Sequence, residues 1–190
     1  MMRVITGKAK GVRLDAPAGE ETRPTAERAK EAMFSMIQFE IEGRRVLDLF
    51  AGSGQLGIEA VSRGAKSAVF VDRSRAAVAV IRKNLEKAKL TGEATVLNTD
   101  HTSFLRHPHG ETFDLVLLDP PYALGAIPTV LRELVRRGLL LPGALILCES
   151  GSDDVFGGDE KLAAIFEVRR QVRHGVAWVT LLALRGEENI

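Results

Sequence analysis

Between residues 46 and 150 the apolar positions come in short runs: VLDLF at 46–50, AVFVD at 68–72, ATVLN at 94–98, FDLVLLD at 113–119 and ALILCES at 144–150. A short apolar run bounded by polar or turn residues is the pattern of a strand covered on both faces. Helical spacing predicts helices near 55–63, 74–88 and 127–137. Strands alternating with helices imply an α/β fold with a mostly parallel sheet and helices on both faces. The end of the chain breaks the alternation. Residues 166–173 and 177–184 are strand-like around His174-Gly175 with no helix between them, which predicts an antiparallel hairpin on the sheet edge. The whole is a Rossmann-like sheet of seven strands.

The first 43 residues follow another pattern. Residues 2–15 alternate imperfectly around Gly7 and Gly11, which predicts two short strands joined by a turn. PAGEETRPT is then a loop, with Thr25 as N-cap of the following helix. Ala29, Ala32, Met33, Met36 and Ile37 fall on one face of that helix, so its methionines belong to a core. Gly43 closes this segment. The expected organisation is a hairpin-and-helix appendage over residues 1–43 and an α/β domain over 44–190.

Composition narrows the class. At 190 residues, 45% hydrophobic and 27% charged, the chain is long enough for one well-cored domain. A net charge of +1 and a pI near 7.9 lack the global footprint of a nucleic-acid binder, so any basic surface must be local. Arg3, Lys8, Lys10 and Arg13, with no acid before Asp15, make the N-terminal arm one such place. A solvated hairpin is its default description, and phosphate contact is the functional one. The single cysteine, Cys148, lies in an apolar run, so no intrachain disulfide forms and the compartment is expected to be reducing. Without a membrane-length apolar stretch or a signal-peptide core, the chain reads as cytoplasmic, and with no heptad seam as a monomer.

The candidate chemistry begins at DLFAGSGQLG, residues 48–57, which follows the first strand and opens a helix. Glycines at 52, 54 and 57 allow a tight turn and close approach of a ligand, and Asp72 closes the next strand where an acid can take ribose hydroxyls. A nicotinamide or flavin dinucleotide and S-adenosylmethionine both fit that much. Asp48 just before the glycines suits a cationic amino group and would repel a pyrophosphate. Asp100 after the third strand can meet an adenine edge, and no hydride transfer needs the DPPY that closes the fourth. S-adenosylmethionine is favoured, with Asp48, Phe50, Gly52, Ser53, Gly54, Asp72 and Asp100 as its candidate contacts.

The stretch LLDPPY, residues 117–122, stops a buried strand, because proline cannot continue the ladder and holds the residue before it extended. That stiffness fixes the Asp119 carboxylate, the Pro120 carbonyl and the Tyr122 ring at the carboxyl edge of the sheet, where open α/β folds bind ligands. Two acceptors beside the exocyclic amine of a nucleobase can draw its hydrogens toward them, and an aromatic ring can fix the plane of the base for in-line methyl transfer. Asp119, Pro120, Pro121 and Tyr122 are therefore the candidate catalytic residues. A base inside a stack cannot be reached this way, so the target must be flipped or unpaired.

TRPTAERAKEAMF, VLDLFAGSGQLGIEAVSRGA, FVD and FDLVLLDPPY together resemble the bacterial 16S ribosomal RNA (guanine-N2) methyltransferases of class I fold, from the N-terminal arm to near residue 150. The resemblance implies methyl transfer from S-adenosylmethionine to a guanine N2 in small-subunit ribosomal RNA, and a small enzyme suits a substrate whose own shape supplies the specificity, as RNA in a small-subunit particle does. The resemblance also implies cofactor contacts at Asp48, Gly52, Gly54, Asp72 and Asp100, catalysis at Asp119 to Tyr122, and a place near the site for Arg23 and Thr25. Lys8, Lys10 and Arg13 complete the expected substrate-binding set. Gln55, Asp72, His101 and the C-terminal HGVAWV depart from the family pattern. The rival substrates are adenine N6 in DNA, disfavoured because few residues are spare for target recognition, and a dinucleotide in an oxidoreductase. A non-catalytic RNA-binding module would be expected to carry a degraded DPPY, and here it is intact.

Other residues are assigned bland roles. His107-Pro108-His109 lacks an organised acid or cysteine partner and reads as a loop, so no metal is expected. His174 reads as a turn residue, Trp178 as a packing residue, and Glu149 either lines the pocket or caps a loop.

Overall fold

The computed structural model describes residues 2–18, 24–107 and 110–186, with the side chains of residues 24–27 outside the description. Helix α1 (Pro24–Met36) precedes a seven-stranded sheet built from β1 (Arg45–Asp48), β2 (Ser67–Asp72), β3 (Ala94–Asn98), β4 (Phe113–Leu118), β5 (Leu140–Ser150), β6 (Phe166–His174) and β7 (Ala177–Leu184). Helices α2 (Gln55–Ser62), α3 (Arg75–Ala88), α4 (His101–Arg106), α5 (Ile127–Arg136) and α6 (Glu160–Ile165) connect them. The strand order is β3-β2-β1-β4-β5-β7-β6. The first five strands are parallel, and β7 runs antiparallel to both β5 and β6. The predicted sheet and C-terminal hairpin are both present.

Each sheet face carries its own apolar cluster. One joins Ile58, Val61, Phe70, Ile81, Leu115 and Leu147 to residues of the N-terminal segment, including Met2, Val4, Leu14, Met33, Phe34 and Ile37. The other joins Leu47, Val71, Val116, Leu118, Val130, Leu131 and Ile146. Gly57 lets α2 lie against β2, since a Cβ there would come within 2.3 Å of the Phe70 ring. Cys148 is buried among these residues, and burial pushes its thiol up to about 12, as befits a small hydrophobe. No helix among the described residues is long and apolar enough to cross a membrane.

The N-terminal segment differs from its expectation in three ways. In place of two strands it forms turns closed by a single antiparallel bridge, Arg3 to Arg13, with Val4 N donating to Val12 O and Leu14 N to Met2 O. It is a strap packed on the domain, with Met2, Val4, Ala9 and Leu14 buried. Its backbone groups are satisfied across the strap by α2: Ile5 N and Thr6 N donate to the Glu59 carboxylate at 2.8 and 3.0 Å, and Lys8 N donates to Ser62 O. Gly7, at φ +88°, touches that carbonyl so closely that any Cβ would overlap it. Finally, α1 begins at Pro24, which places Thr25 inside the first turn instead of at the N-cap. Proline suits the first helical position because no intrahelical bond is lost there.

A buried charged cluster rivets the strap. Glu59 and Lys30 are both fully buried with Nζ and Oε2 at 3.7 Å; Lys30 also donates to Arg3 O at 2.6 Å, and Arg63 donates to Glu59 at 2.7 Å. Since Lys30 meets Glu59 while Phe34, one turn on, lies under the Arg63 guanidinium, α1 runs parallel to α2. The start of α1 is therefore at the carboxyl edge of the sheet.

Candidate active site

The chain leaves β1 for β2 and β3 on one side and returns to β4 on the other, so the topological switch point lies between the carboxyl ends of β1 and β4. Ligands of open α/β sheets bind outside that point. Five acids stand along this edge in strand order: Asp100 just past β3, Asp72 on β2, Asp48 on β1, Asp119 just past β4 and Glu149 on β5. At an interstrand spacing of about 4.8 Å the row spans about 19 Å.

Asp48 is the most constrained of the five. It is 1% exposed, its Oδ2 accepts from Gly57 N at 2.9 Å, and its Oδ1 is buried with no hydrogen-bond partner among the described residues. Burial, together with the charge of Asp72 and against the Gly57 hydrogen bond, raises its carboxyl to about 7. An orphaned buried carboxylate oxygen asks for a cationic or N–H donor. The chain then turns through Gly52 (φ +53°) and Gly54 (φ +78°), and Gly54 opens α2. Ser53 is buried; its Oγ meets Met2 Sδ at 3.2 Å, and its carbonyl accepts from the buried Asn84.

Asp72 holds the loop from the next strand, with Oδ2 accepting from Gly52 N and Oδ1 from Ser74 N, each at 2.8 Å. Each oxygen keeps a further lone pair. Asp100 caps α4, accepting from Ser103 N at 3.0 Å and Ser103 Oγ at 2.7 Å, and the Ser103 hydroxyl is the main cause holding its carboxyl below the usual range. The rings of Phe50, just past β1, and His101, next to Asp100, stand 4.9 Å apart, tilted by 42°. Sequence reasoning noted His101 only as a departure from a pattern. Burial lowers its ring pKa, which favours the neutral ring.

On the other side of the switch point, Leu118 ends β4 and Pro120 is buried behind Asp119. Pro121 is extended at φ −52°, ψ 126°, and a single 3₁₀ turn over Tyr122–Leu124 follows. Tyr122 is 45% exposed, its ring lies beside Gly151, and its hydroxyl donates to Glu149 Oε1 at 2.5 Å. Burial first, then the Glu149 hydrogen bond and the charges of Glu149 and Asp119, raises the phenol well above its usual range. It therefore stays a protonated donor.

The strap is less collected. Ser62, which Lys8 N bonds, ends α2 at the opposite, amino edge of the sheet, and Lys8 pairs with Glu93 just before β3. Lys8 and Lys10 are thus exposed at the far end of the domain from the acid row, whereas Met2, at the strap's other end, reaches Ser53. Arg13 is exposed at that end, bridged to Arg3. Arg23 lies outside the described residues, and of Thr25 only its place in the first turn of α1 is described. His109 is likewise outside them.

The family described as Conserved hypothetical protein 95 matches residues 2–181. The chain is similar to YlbH of Bacillus subtilis strain 168, at 46% identity over 150 residues, 78% of this chain and 82% of that one. It is 36% identical over 154 residues to the ribosomal RNA small subunit methyltransferase D of Haemophilus influenzae, 80% of each chain. Among solved structures, the yhhF protein of Escherichia coli matches with a TM-score of 0.84 at 31% identity, over 98% of this chain and 99% of that one.

Proposed function

The chain belongs to the family described as Conserved hypothetical protein 95, and on that premise we propose that it transfers a methyl group from S-adenosylmethionine to the exocyclic N2 of a guanine in small-subunit (16S) ribosomal RNA. The observation that carries the proposal is the junction at the switch point. There Asp119 follows the strand next to the one that holds the orphaned Asp48 oxygen, and a proline-stiffened loop carries the chain on to Tyr122, which reaches Glu149 on the strand beyond.

The residues present fit the cofactor. Asp48 Oδ1 lacks a partner that an ammonium group would supply, and the positive-φ glycines 52 and 54 let a ligand approach the backbone. The spare lone pairs of Asp72 suit ribose hydroxyls, those of Asp100 an adenine amine, and Phe50 and Ser53 flank the same loop. When bound, the cofactor supplies a sulfonium-held methyl group and keeps the carbon–sulfur electron pair as the methyl leaves.

The protein's part in the chemistry is positioning. Asp119 and the Pro120 carbonyl accept the hydrogens of the target amine, which turns its lone pair out of the ring and toward the methyl carbon. Tyr122 stacks on the base and sets its plane, while Glu149 holds the tyrosine. The amine sheds its proton as the new bond forms, and Asp119 stands where that proton leaves. The preferred substrate is RNA in a small-subunit particle, met by a monomeric enzyme in the cytoplasm, with the particle's shape supplying the specificity.

The test is Asp119→Ala. Cofactor affinity should stay near that of the wild type while turnover falls by about 10²-fold or more. Equal loss of both would remove Asp119 from the chemistry.

A further inference from the structure

An edge lined by Asp100, Asp72, Asp48, Asp119 and Glu149 repels phosphate, so an RNA strand delivered to it needs cations beside the acid row. Lys8 and Lys10, two of the residues that the sequence offers for this task, lie at the opposite edge of the sheet, where Lys8 pairs with Glu93. The β6–β7 hairpin ends on the correct one. Ser150, at the carboxyl end of β5, pairs with Trp178, and Glu149, which holds Tyr122, pairs with Val179. The hairpin turn at Gly175 and Val176 therefore projects from the same edge as Tyr122, one strand beyond Glu149.

The composition of this hairpin is one-sided. Residues 168–178, VRRQVRHGVAW, contain three arginines and a histidine and no acid. Arg169 is partnered by Glu40 and Glu167, but Arg170 and Arg173 are exposed and make no ion pair among the described residues. The Arg173 guanidinium lies over the Trp178 ring with 5.8 Å to its centroid, and its Nε donates to Gly175 O at 3.0 Å, which fixes it at the tip. Arg170 and His174 alternate onto the face that Glu149 shares, and Arg173 and Trp178 onto the other. Val176 at the apex is 76% exposed. A guanidinium over an aromatic ring beside an exposed apolar apex, with Arg170 on the other face of the same hairpin, suits unpaired nucleotides, whose bases stack on rings and whose phosphates pair with guanidinium groups.

We propose that the β6–β7 hairpin, through Arg170, Arg173 and Trp178, takes the single-stranded RNA that flanks the target base, and that the tip of the N-terminal strap does not. This rests on the reading of the chain as a ribosomal RNA methyltransferase. It assigns the hairpin a role that its departure from the family pattern at HGVAWV would not suggest.

Trp178 is the only tryptophan in the chain, so its fluorescence reports on the hairpin without recourse to activity. The experiment titrates unmodified small-subunit ribosomal RNA into the wild type, the pair Arg170→Ala/Arg173→Ala, and the pair Lys8→Ala/Lys10→Ala, over a range of salt. Tryptophan emission, binding affinity and methyl transfer are recorded for each. The expected result is a change of Trp178 emission on RNA binding by the wild type. The arginine pair should bind about tenfold more weakly, with a salt slope lower by about 1.4 for two lost phosphate contacts, and the lysine pair should bind as the wild type does. If the wild type methylates the RNA while the arginine pair binds it equally well and Trp178 emission never changes, the hairpin assignment is wrong and the methyltransferase reading stands. If the wild type neither binds nor methylates this RNA, either free or in unmodified small subunits, both fall together.

Discussion

The Tyr122 hydroxyl donates a 2.5 Å hydrogen bond to Glu149, tying the loop after β4 to the end of β5. A ring that must hold a nucleobase flat for an in-line reaction gains from such a tether, because small errors of orientation cost rate steeply. Glu149→Ala should lower kcat by about tenfold with cofactor affinity unchanged, Tyr122→Phe should do the same, and the double variant should add little further. Glu149→Gln, which retains an acceptor, should restore most of the rate. Tyr122 is the only tyrosine in the chain, so a single ¹³C-labelled ring signal reports the bond directly. That signal should move in Glu149→Ala; additive losses with an unmoved signal would show that the two residues act separately.

Asp48 makes cofactor binding sensitive to pH. Its carboxyl is raised to about 7 by burial, and the unpartnered Oδ1 attracts an ammonium group only when ionised. Affinity for S-adenosylmethionine should therefore weaken about tenfold for each pH unit below 7, and Asp48→Asn should bind more weakly with that dependence gone. Without cofactor the sign reverses. A folded-state value above the unfolded one gives stability that is complete below about pH 4 and is lost as pH rises through 7. Calorimetry at constant ionic strength measures both, and a flat binding profile in the wild type would separate Asp48 from the ammonium group.

The buried Lys30–Glu59 pair should matter far more to stability than its position on two ordinary helices suggests. Removing Lys30 takes one cation from the buried Glu59 carboxylate and a donor from Arg3 O, while Arg63 and two backbone N–H groups stay on Glu59, so the cost is about 1–3 kcal/mol. Lys30→Met should lower the unfolding free energy by that order and raise amide exchange in residues 3–6, whose backbone the pair organises. Unchanged exchange there would mean that the strap holds without the pair.

Much of this was legible in the chain. Runs such as Phe113–Leu118 announced central strands because both of their faces are covered, and the prolines after Asp119 announced where the fourth must end. Position in the strand order was not legible: that Glu149 would stand beside Tyr122 depends on β5 lying next to β4, a matter of tertiary pairing. Little in the sequence singles out Glu59 as buried, because the strap that covers it comes from more than fifty residues away. One signal was present, since Glu59 is the only charged residue in α2. The strap itself was misjudged as a solvated hairpin for the same reason. Its apolar residues are too few to reveal a core until α2 is laid against them.

The most direct test of the central claim is transfer of a labelled methyl group from S-adenosylmethionine to small ribosomal subunits isolated without the modification, followed by digestion to nucleosides and mass spectrometry. The account predicts N2-methylguanosine, absent when Asp119→Ala replaces the wild type. Label recovered in N6-methyladenosine, or no label in RNA from a protein that binds the cofactor, would contradict it.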